Sequence, residues 1–132
     1  MGNLLPSSRI FKVWEYQVSH GQLLIRSPIA PATPSAPEQV TNVDIVFHGV
    51  DYMALPRLMR GVAILEPTLD ELSSLEVTLG CSIEKENLII VHSGGQRFPI
   101  VASGISVNEN TWDIFESPIE FRSQFRSEVN NE

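Results

Sequence analysis

The chain has 132 residues, 42% of them hydrophobic, with 9 Lys and Arg against 16 Asp and Glu and a net charge of −7. This length predicts a single domain over residues 1–132, and the apolar fraction excludes an intrinsically disordered chain. The single cysteine, Cys81, excludes an intramolecular disulfide framework. No apolar run approaches the ~18 residues of a transmembrane helix. Because the N-terminus lacks the basic region of a secretory signal, we expect a cytoplasmic protein with no membrane contact.

The acidic residues are concentrated in the second half of the chain. Residues 1–65 carry five basic and four acidic side chains, whereas residues 66–132 carry four basic and twelve acidic ones, a net charge of −8. Nucleic-acid binding relies on clustered Lys and Arg, and this chain has two lysines and no basic run, so we expect no nucleic-acid partner. The acidic half fits either a basic protein partner or a solvated face that keeps the protein in solution.

Residues 10–27 predict a β-hairpin, because their aromatic and β-branched side chains suit a pleated surface. Residues 11–18 form the first strand, residues 23–26 form the return strand, and His20-Gly21 supplies a two-residue turn. This turn predicts three facing pairs: Val18 with Leu23, Tyr16 with Ile25, and Glu15 with Arg26. The period of two then places five side chains on one buried face: Trp14, Tyr16, Val18, Leu23 and Ile25.

Prolines recur at every third position of the segment 28–41, namely Pro28, Pro31, Pro34 and Pro37. Each proline removes a backbone donor, so the segment is neither a helix nor a central strand. The spacing fits an extended surface loop or a polyproline docking peptide. Docking peptides carry flanking basic residues, and Arg26 alone is near, so we predict a proline-rich loop over 28–41.

Residues 42–48 alternate between two faces, which predicts a strand with Val43, Ile45 and Phe47 on one side, followed by a bend at Gly49. A turn is expected at 57–61, and a further strand over 62–65.

A helix is predicted over 69–79. Thr68 and Glu71 match a capping box, and leucines follow at three- and four-residue steps. Gly80 lies where a helix C-terminus is expected.

Residues 88–93 and 96–101 predict a second hairpin around Gly94-Gly95, and residues 105–107 predict a short strand. Ser117-Pro118 begins a predicted C-terminal helix, for which a terminal strand is the alternative. The order of elements predicts an α+β fold, a largely antiparallel β-sheet built from two hairpins and central strands with two helices on it. A small barrel is the alternative closure.

Two stretches of the sequence carry a resemblance. They are residues 16–27, YQVSHGQLLIRS, and residues 43–51, VDIVFHGVD, with Leu55-Pro56 after them. Together they resemble a group of small uncharacterised bacterial proteins that have a similar hairpin and a similar strand-Leu-Pro segment. The resemblance spans the first half of the chain. It implies a bacterial, cytoplasmic, single-domain protein and brings no activity, substrate or catalytic residue with it.

His48, Asp51 and His92 are the candidates for a catalytic or metal-binding role. Imidazole titrates near neutral pH and ligates metals, so two histidines and an acid can form a metal site or a general-base pair where their strands lie side by side. The sequence has no HxH, HxxxH or HExxH spacing. We therefore assign no catalytic residue, metal or cofactor from the sequence.

Two other residue types invite a functional interpretation. Trp112 is equally consistent with a core aromatic and with an exposed interaction anchor. Cys81 follows the predicted end of the helix with no cation suggested nearby, which predicts a small, half-buried residue and not a catalytic thiolate.

The sequence favours a small acidic protein that acts as a non-enzymatic protein–protein interaction module, regulatory or immunity-like, for a basic partner. The alternative is a small ligand- or metal-binding domain, or a hydrolase-like enzyme, that uses His48, Asp51 and His92. Because small β-rich domains have little core to spare, we also expect a homodimer.

Overall fold

The computed structural model describes residues 3–4, 9–35 and 37–111. In these ranges the chain forms one α-helix and ten strands: β1 Asn3–Leu4, β2 Ile10–Gln17, β3 Gln22–Ser27, β4 Asn42–His48, β5 Tyr52–Met53, β6 Leu58–Arg60, β7 Ala63–Leu65, α1 Leu69–Leu79, β8 Leu88–Ser93, β9 Gln96–Val101 and β10 Gly104–Asn110. The predicted α+β class is confirmed. The predicted C-terminal helix and Trp112 lie outside the described residues.

The strands form two five-stranded antiparallel sheets. Sheet A has the order β1-β7-β8-β9-β5, and sheet B has the order β10-β4-β3-β2-β6. The open-sheet arrangement is therefore confirmed, and the strands do not close into the alternative small barrel. The predicted turn at 57–61 was wrong for residues 58–60, which form β6 and pair with the start of β2.

A hydrophobic core fills the space between the two sheets. Val43, Ile45 and Phe47 of β4 point into it, as the alternation predicted. Sheet A supplies the opposing side chains, which include Ile89, Val91 and Ile100.

Helix α1 covers the other face of sheet A, and its predicted boundaries are confirmed. The Thr68 hydroxyl accepts from the Glu71 amide while the Glu71 carboxylate accepts from the Thr68 amide, which satisfies two free donors at the helix start. Gly80 ends the helix with φ of 70°, a left-handed conformation that favours glycine. Leu75 is buried with Leu88 and Ile90 of β8 in a second apolar cluster.

The hairpin around Gly94-Gly95 has the predicted register. Ser93 faces Gln96, and His92 faces Arg97. Both glycines have positive φ, as two-residue hairpin turns require.

The first hairpin differs from the prediction in its loop and its register. Four residues, 18–21, connect the strands, so Tyr16 faces Leu23 instead of Ile25. The Gly21 carbonyl accepts from the Val50 amide at 2.8 Å, and Gly21 has φ of 58°. This contact with a distant segment favours the longer loop over a two-residue turn at His20-Gly21.

A bulge at Trp14 shifts the register once more, which places Lys12, and not Glu15, opposite Arg26. The predicted Glu15–Arg26 pair was therefore wrong. Arg26 instead forms an ion pair with Asp44 on β4, with the Arg26 Nε atom 2.7 Å from Asp44 Oδ1.

The predicted buried face of this hairpin was correct for Leu23 and Ile25 and wrong for Tyr16 and Val18, whose side chains are 39% and 79% exposed. Trp14 is half-buried on the opposite face of sheet B, where it packs against Leu24 and Val46. Val18 lies in the loop after β2, and in the described ranges β6 pairs with β2 only at residues 10–12, which leaves Tyr16 at the margin of the sheet. Leu23 and Ile25 belong to β3, the central strand of sheet B, which is buried on both of its faces.

The described part of the proline-rich segment connects β3 to β4. Ala30 and Gln39 exchange two backbone hydrogen bonds of 2.9 and 2.8 Å, which closes the segment into an extended loop. The Asn42 side chain accepts from the Ile29 amide and fixes the base of the loop.

Candidate functional site

The structure does not bring His48 and His92 together. His48 ends β4 in sheet B, and His92 lies in β8 of sheet A. Their chain neighbours Phe47 and Val91 point into the core between the sheets. Because side chains alternate along a strand, the two imidazoles point to opposite outer faces of the molecule.

Asp51 lies in the bend after β4 with an exposed side chain, and its amide donates to the Val101 carbonyl at 2.8 Å. Within residues 3–4, 9–35 and 37–111, no group of three His, Cys, Asp or Glu side chains has a geometry that could hold a metal ion. Cys81 follows the helix terminus at Gly80 and is exposed, so its expected half-burial was wrong.

His48 instead contacts two polar side chains that the sequence did not single out. Its Nδ1 atom lies 3.2 Å from Gln22 Nε2, and its Nε2 atom lies 3.3 Å from Ser106 Oγ. Gln22 is 5% exposed, and its Oε1 atom has no hydrogen-bond partner among the residues that the structure describes. The opposite amide orientation brings Oε1 beside His48 Nδ1, where it can accept the ring proton.

This arrangement is a hydroxyl–imidazole–amide chain that runs across three strands. In the tautomer with the proton on Nδ1, the His48 Nε2 atom is free to accept the hydroxyl proton of Ser106. Such a chain can activate a serine as a nucleophile. No sequence pattern indicates this chain, because Gln22, His48 and Ser106 become neighbours only through the pairing of β3, β4 and β10.

Strand β10 is a second feature with functional potential. In the described part of the chain its one strand neighbour is β4, so it forms the margin of sheet B. Residues 105–109 are exposed in succession, and the apolar side chains of Ile105 and Val107 are 37% and 43% exposed. A marginal strand presents unpaired backbone N–H and C=O groups, which are a template for pairing with another chain.

The far end of β10 is fixed to β4 by side-chain hydrogen bonds. The side-chain Nδ2 atom of Asn110 donates to Asp44 Oδ2 at 2.7 Å, and the Thr41 hydroxyl donates to the Glu109 carboxylate. These bonds hold the strand in place without involving Ile105 or Val107.

A cleft of ≈ 400 Å³ lies beside β10, between it and sheet A. Its walls include Ile105, Pro67 and Ile64, and its charged lining residues are Glu66, Glu86 and Lys85. The Ile105 side chain points toward this cleft from the same face of β10 that faces the core. A strand added to β10 would direct every second side chain toward this cleft.

The strongest electrostatic perturbation lies elsewhere, at the start of helix α1. Arg97 on β9 forms two hydrogen bonds with the Glu71 carboxylate, of 2.7 and 2.9 Å. The Arg97 hydrogen bond lowers the pKa of Glu71 to about 2. Since Glu71 also caps the helix, we assign this pair to the docking of α1 on sheet A.

Comparisons of the chain with protein-family models, with curated proteins and with solved structures gave no match. In the described ranges, no helix has the length and apolar character needed to cross a membrane.

Proposed function

We propose that this protein is a non-enzymatic protein-interaction module that binds an extended segment of its partner along β10. The observation that carries the proposal is the position of β10 at the margin of sheet B with five successive exposed residues. Addition of a strand to a sheet margin derives affinity from backbone hydrogen bonds and specificity from pockets for alternate side chains.

The cleft beside β10 supports a partner with apolar and basic residues. Ile105 and Val107 favour apolar side chains on the facing strand, because cross-strand apolar pairs stabilise a sheet. Glu66 and Glu86 outnumber Lys85 in the lining, so the cleft favours a basic side chain. This agrees with the partner expected from the net charge of −7.

Fluorescence anisotropy of a labelled peptide tests the proposal. A peptide of about ten residues in which valine alternates with lysine should bind, and one in which valine alternates with glutamate should bind about tenfold more weakly or not at all. The double variant Ile105→Lys, Val107→Lys should lose binding, because charged side chains at a sheet margin oppose strand addition. Val77→Lys, a change at an 83% exposed position on α1, is the matched control.

Failure of the valine–lysine peptide to bind, or equal binding by the double variant, contradicts the proposal. Size-exclusion chromatography of the same proteins tests whether β10 instead pairs with a second copy of this chain. A dimer that dissociates in the double variant and not in the control assigns β10 to self-association.

A second candidate function, a hydrolase-like activity, is supported by the Ser106–His48–Gln22 chain. In this reaction the Ser106 oxygen bonds to an ester carbonyl carbon, His48 takes the hydroxyl proton and passes it to the departing alcohol, and water then releases the acid. A fluorophosphonate probe, which bonds to an activated serine with loss of fluoride, should label Ser106. Ser106→Ala should abolish labelling, whereas the control Ser103→Ala should keep it. Labelling that is absent from the parent protein, or that persists in His48→Gln, excludes this function.

A further inference from the structure

A cleft on the opposite margin of sheet B combines apolar walls with two cations. It has a volume of ≈ 620 Å³ and is lined by Ile10, Lys12, Val13, Trp14, Arg57 and Leu58. This volume lies within the range of about 300–1,000 Å³ that small-molecule sites occupy in proteins.

The pairing of β2 explains why the cleft is open. Strand β6 pairs with β2 only from Ile10 to Lys12. One further backbone bond, from the Val13 amide to the Arg57 carbonyl at 3.0 Å, holds the chain before β6 against β2. The bulge at Trp14 follows directly, and the remainder of β2 has no partner on that side in the described ranges.

The walls of the cleft are apolar and accessible. Leu58 is 48% exposed, and Trp14 is half-buried with the Arg26 guanidinium carbon 5.4 Å from its ring centroid. Arg26 in turn is held by Asp44, so the indole rests on a buried, fixed ion pair. A ring held in this way can pack against the apolar part of a ligand with little loss of side-chain entropy.

No carboxylate of the described residues pairs with the two cations of the cleft. Lys12 and Arg57 are both exposed, and neither forms an ion pair within the described ranges. The described lining of the cleft contains no acidic side chain. Arg26 and Arg97, by contrast, are each paired with a carboxylate. In a chain of net charge −7, two cations that have no ion-pair partner in the described part of the chain and lie beside an apolar wall form a local site for an anion.

We propose that this cleft binds an amphipathic anion, a small molecule with an aromatic or aliphatic body and one carboxylate, sulfonate or phosphate group. The apolar body packs against Trp14 and Leu58, and the anionic group lies between Lys12 and Arg57. The site is on the margin of sheet B remote from β10, so it is independent of the proposed peptide-binding function.

Two anionic probes test the site, anilinonaphthalene sulfonate by its fluorescence and dodecanoate by displacement of that dye. Both should bind saturably, and neutral dodecanol should displace the dye about tenfold less well. The charge reversal Lys12→Glu, Arg57→Glu should weaken both anions by about tenfold or more at low salt. The control variant Ser73→Glu, Val77→Glu adds negative charge at two exposed positions of α1 that line neither cleft, and it should leave binding within about threefold.

Trp14→Leu keeps an apolar wall and should weaken the aromatic probe more than dodecanoate. Circular dichroism of each variant confirms that the fold is retained. The proposal is overturned if neither anion binds saturably, if dodecanol competes as well as dodecanoate, or if the control variant weakens binding as much as the charge reversal does. The Lys12→Glu, Arg57→Glu variant should bind the valine–lysine peptide with the same affinity as the parent, which shows that this site and β10 act independently.

Discussion

Arg26 and Asp44 face each other on the neighbouring strands β3 and β4 and form a bidentate ion pair that is almost completely buried. The Arg26 Nε and Nη2 atoms donate to the two carboxylate oxygens at 2.7 and 2.9 Å, and the side chains are 1% and 0% exposed. Asn110 donates a third hydrogen bond to the same carboxylate at 2.7 Å. The pair thus connects three strands of sheet B on a face where both neighbours, Leu24 and Val46, are also buried.

Removal of one member of this pair should destabilise the protein strongly. Arg26→Met leaves the Asp44 carboxylate buried without its cation, and we expect a loss of about 3–5 kcal/mol in the free energy of unfolding. Urea denaturation measures this loss. The double variant Arg26→Met, Asp44→Leu should recover most of it, because no uncompensated charge remains. A single variant that loses less than 1 kcal/mol would show that the pair is effectively solvated.

The pair Glu71–Arg97 should make stability depend on pH in the acid range. The folded-state pKa of Glu71 is about 2, below its ordinary value of 4.5, so the stabilisation is fully present above the ordinary value and is lost as the pH falls through the folded-state value. The side chains are 28% and 35% exposed, so solvent screening limits the contribution to about 0.5–1 kcal/mol. Urea denaturation of Glu71→Gln and the parent should differ by this amount at neutral pH. A difference that stays constant down to pH 2 contradicts the assignment.

Tyr16 and Leu24 should respond very differently to truncation. Tyr16 is 39% exposed at the margin of sheet B, whereas Leu24 is 0% exposed on the central strand. Leu24→Ala removes buried methyl groups and should cost about 2–5 kcal/mol, and Tyr16→Ala should cost about 1 kcal/mol or less. Equal urea midpoints for the two variants would indicate the register with Tyr16 in the core.

Gly49 and Gly94 have the same left-handed conformation in different surroundings. Their φ angles are 61° and 59°, but an added Cβ at Gly49 collides with the Ser103 side chain, whereas at Gly94 nothing lies within 4 Å. Gly94→Ala should therefore cost only the backbone strain of about 1–2 kcal/mol. Gly49→Ala should lower the stability more than this. The additional loss should become smaller when the same change is made in the Ser103→Ala variant, because the Ser103 hydroxyl that the new Cβ meets is then absent. Thermal unfolding of the parent, the three single variants and the Gly49→Ala, Ser103→Ala double variant measures the strain and the steric loss. Equal losses for the two glycines would falsify the steric argument.

The elements that the sequence predicted well are those whose signals are local. Helix α1 is bounded by Thr68, Glu71 and Gly80, and the second hairpin turns at two adjacent glycines; each of these signals acts within a few residues. The first hairpin was misjudged because its loop is held by Val50, a residue 29 positions beyond Gly21, whose amide bonds to it at 2.8 Å.

The candidate site was beyond the reach of a single sequence for the same reason. His48 was identified as a candidate, but its neighbours are set by strand pairing across 26 residues to Gln22 and 58 residues to Ser106. No spacing rule connects side chains at such separations. Likewise, Trp14 was expected in the core because periodicity cannot reveal a bulge, and its place beside Lys12 and Arg57 follows from that bulge.

The position of β10 also determines the order in which sheet B can be completed. Strands β2, β3 and β4 pair with their chain neighbours and can associate early. Strand β10 must instead find β4 across a separation of 56 residues at the His48–Gly104 end and 68 at the Asn42–Asn110 end. Closing so long a loop is slow compared with forming a hairpin. During synthesis on the ribosome, β4 therefore remains an unpaired sheet margin with a hydrophobic sequence until residue 110 has emerged. In that interval β4 presents the unpaired backbone N–H and C=O groups of a sheet edge, which favour association with another chain.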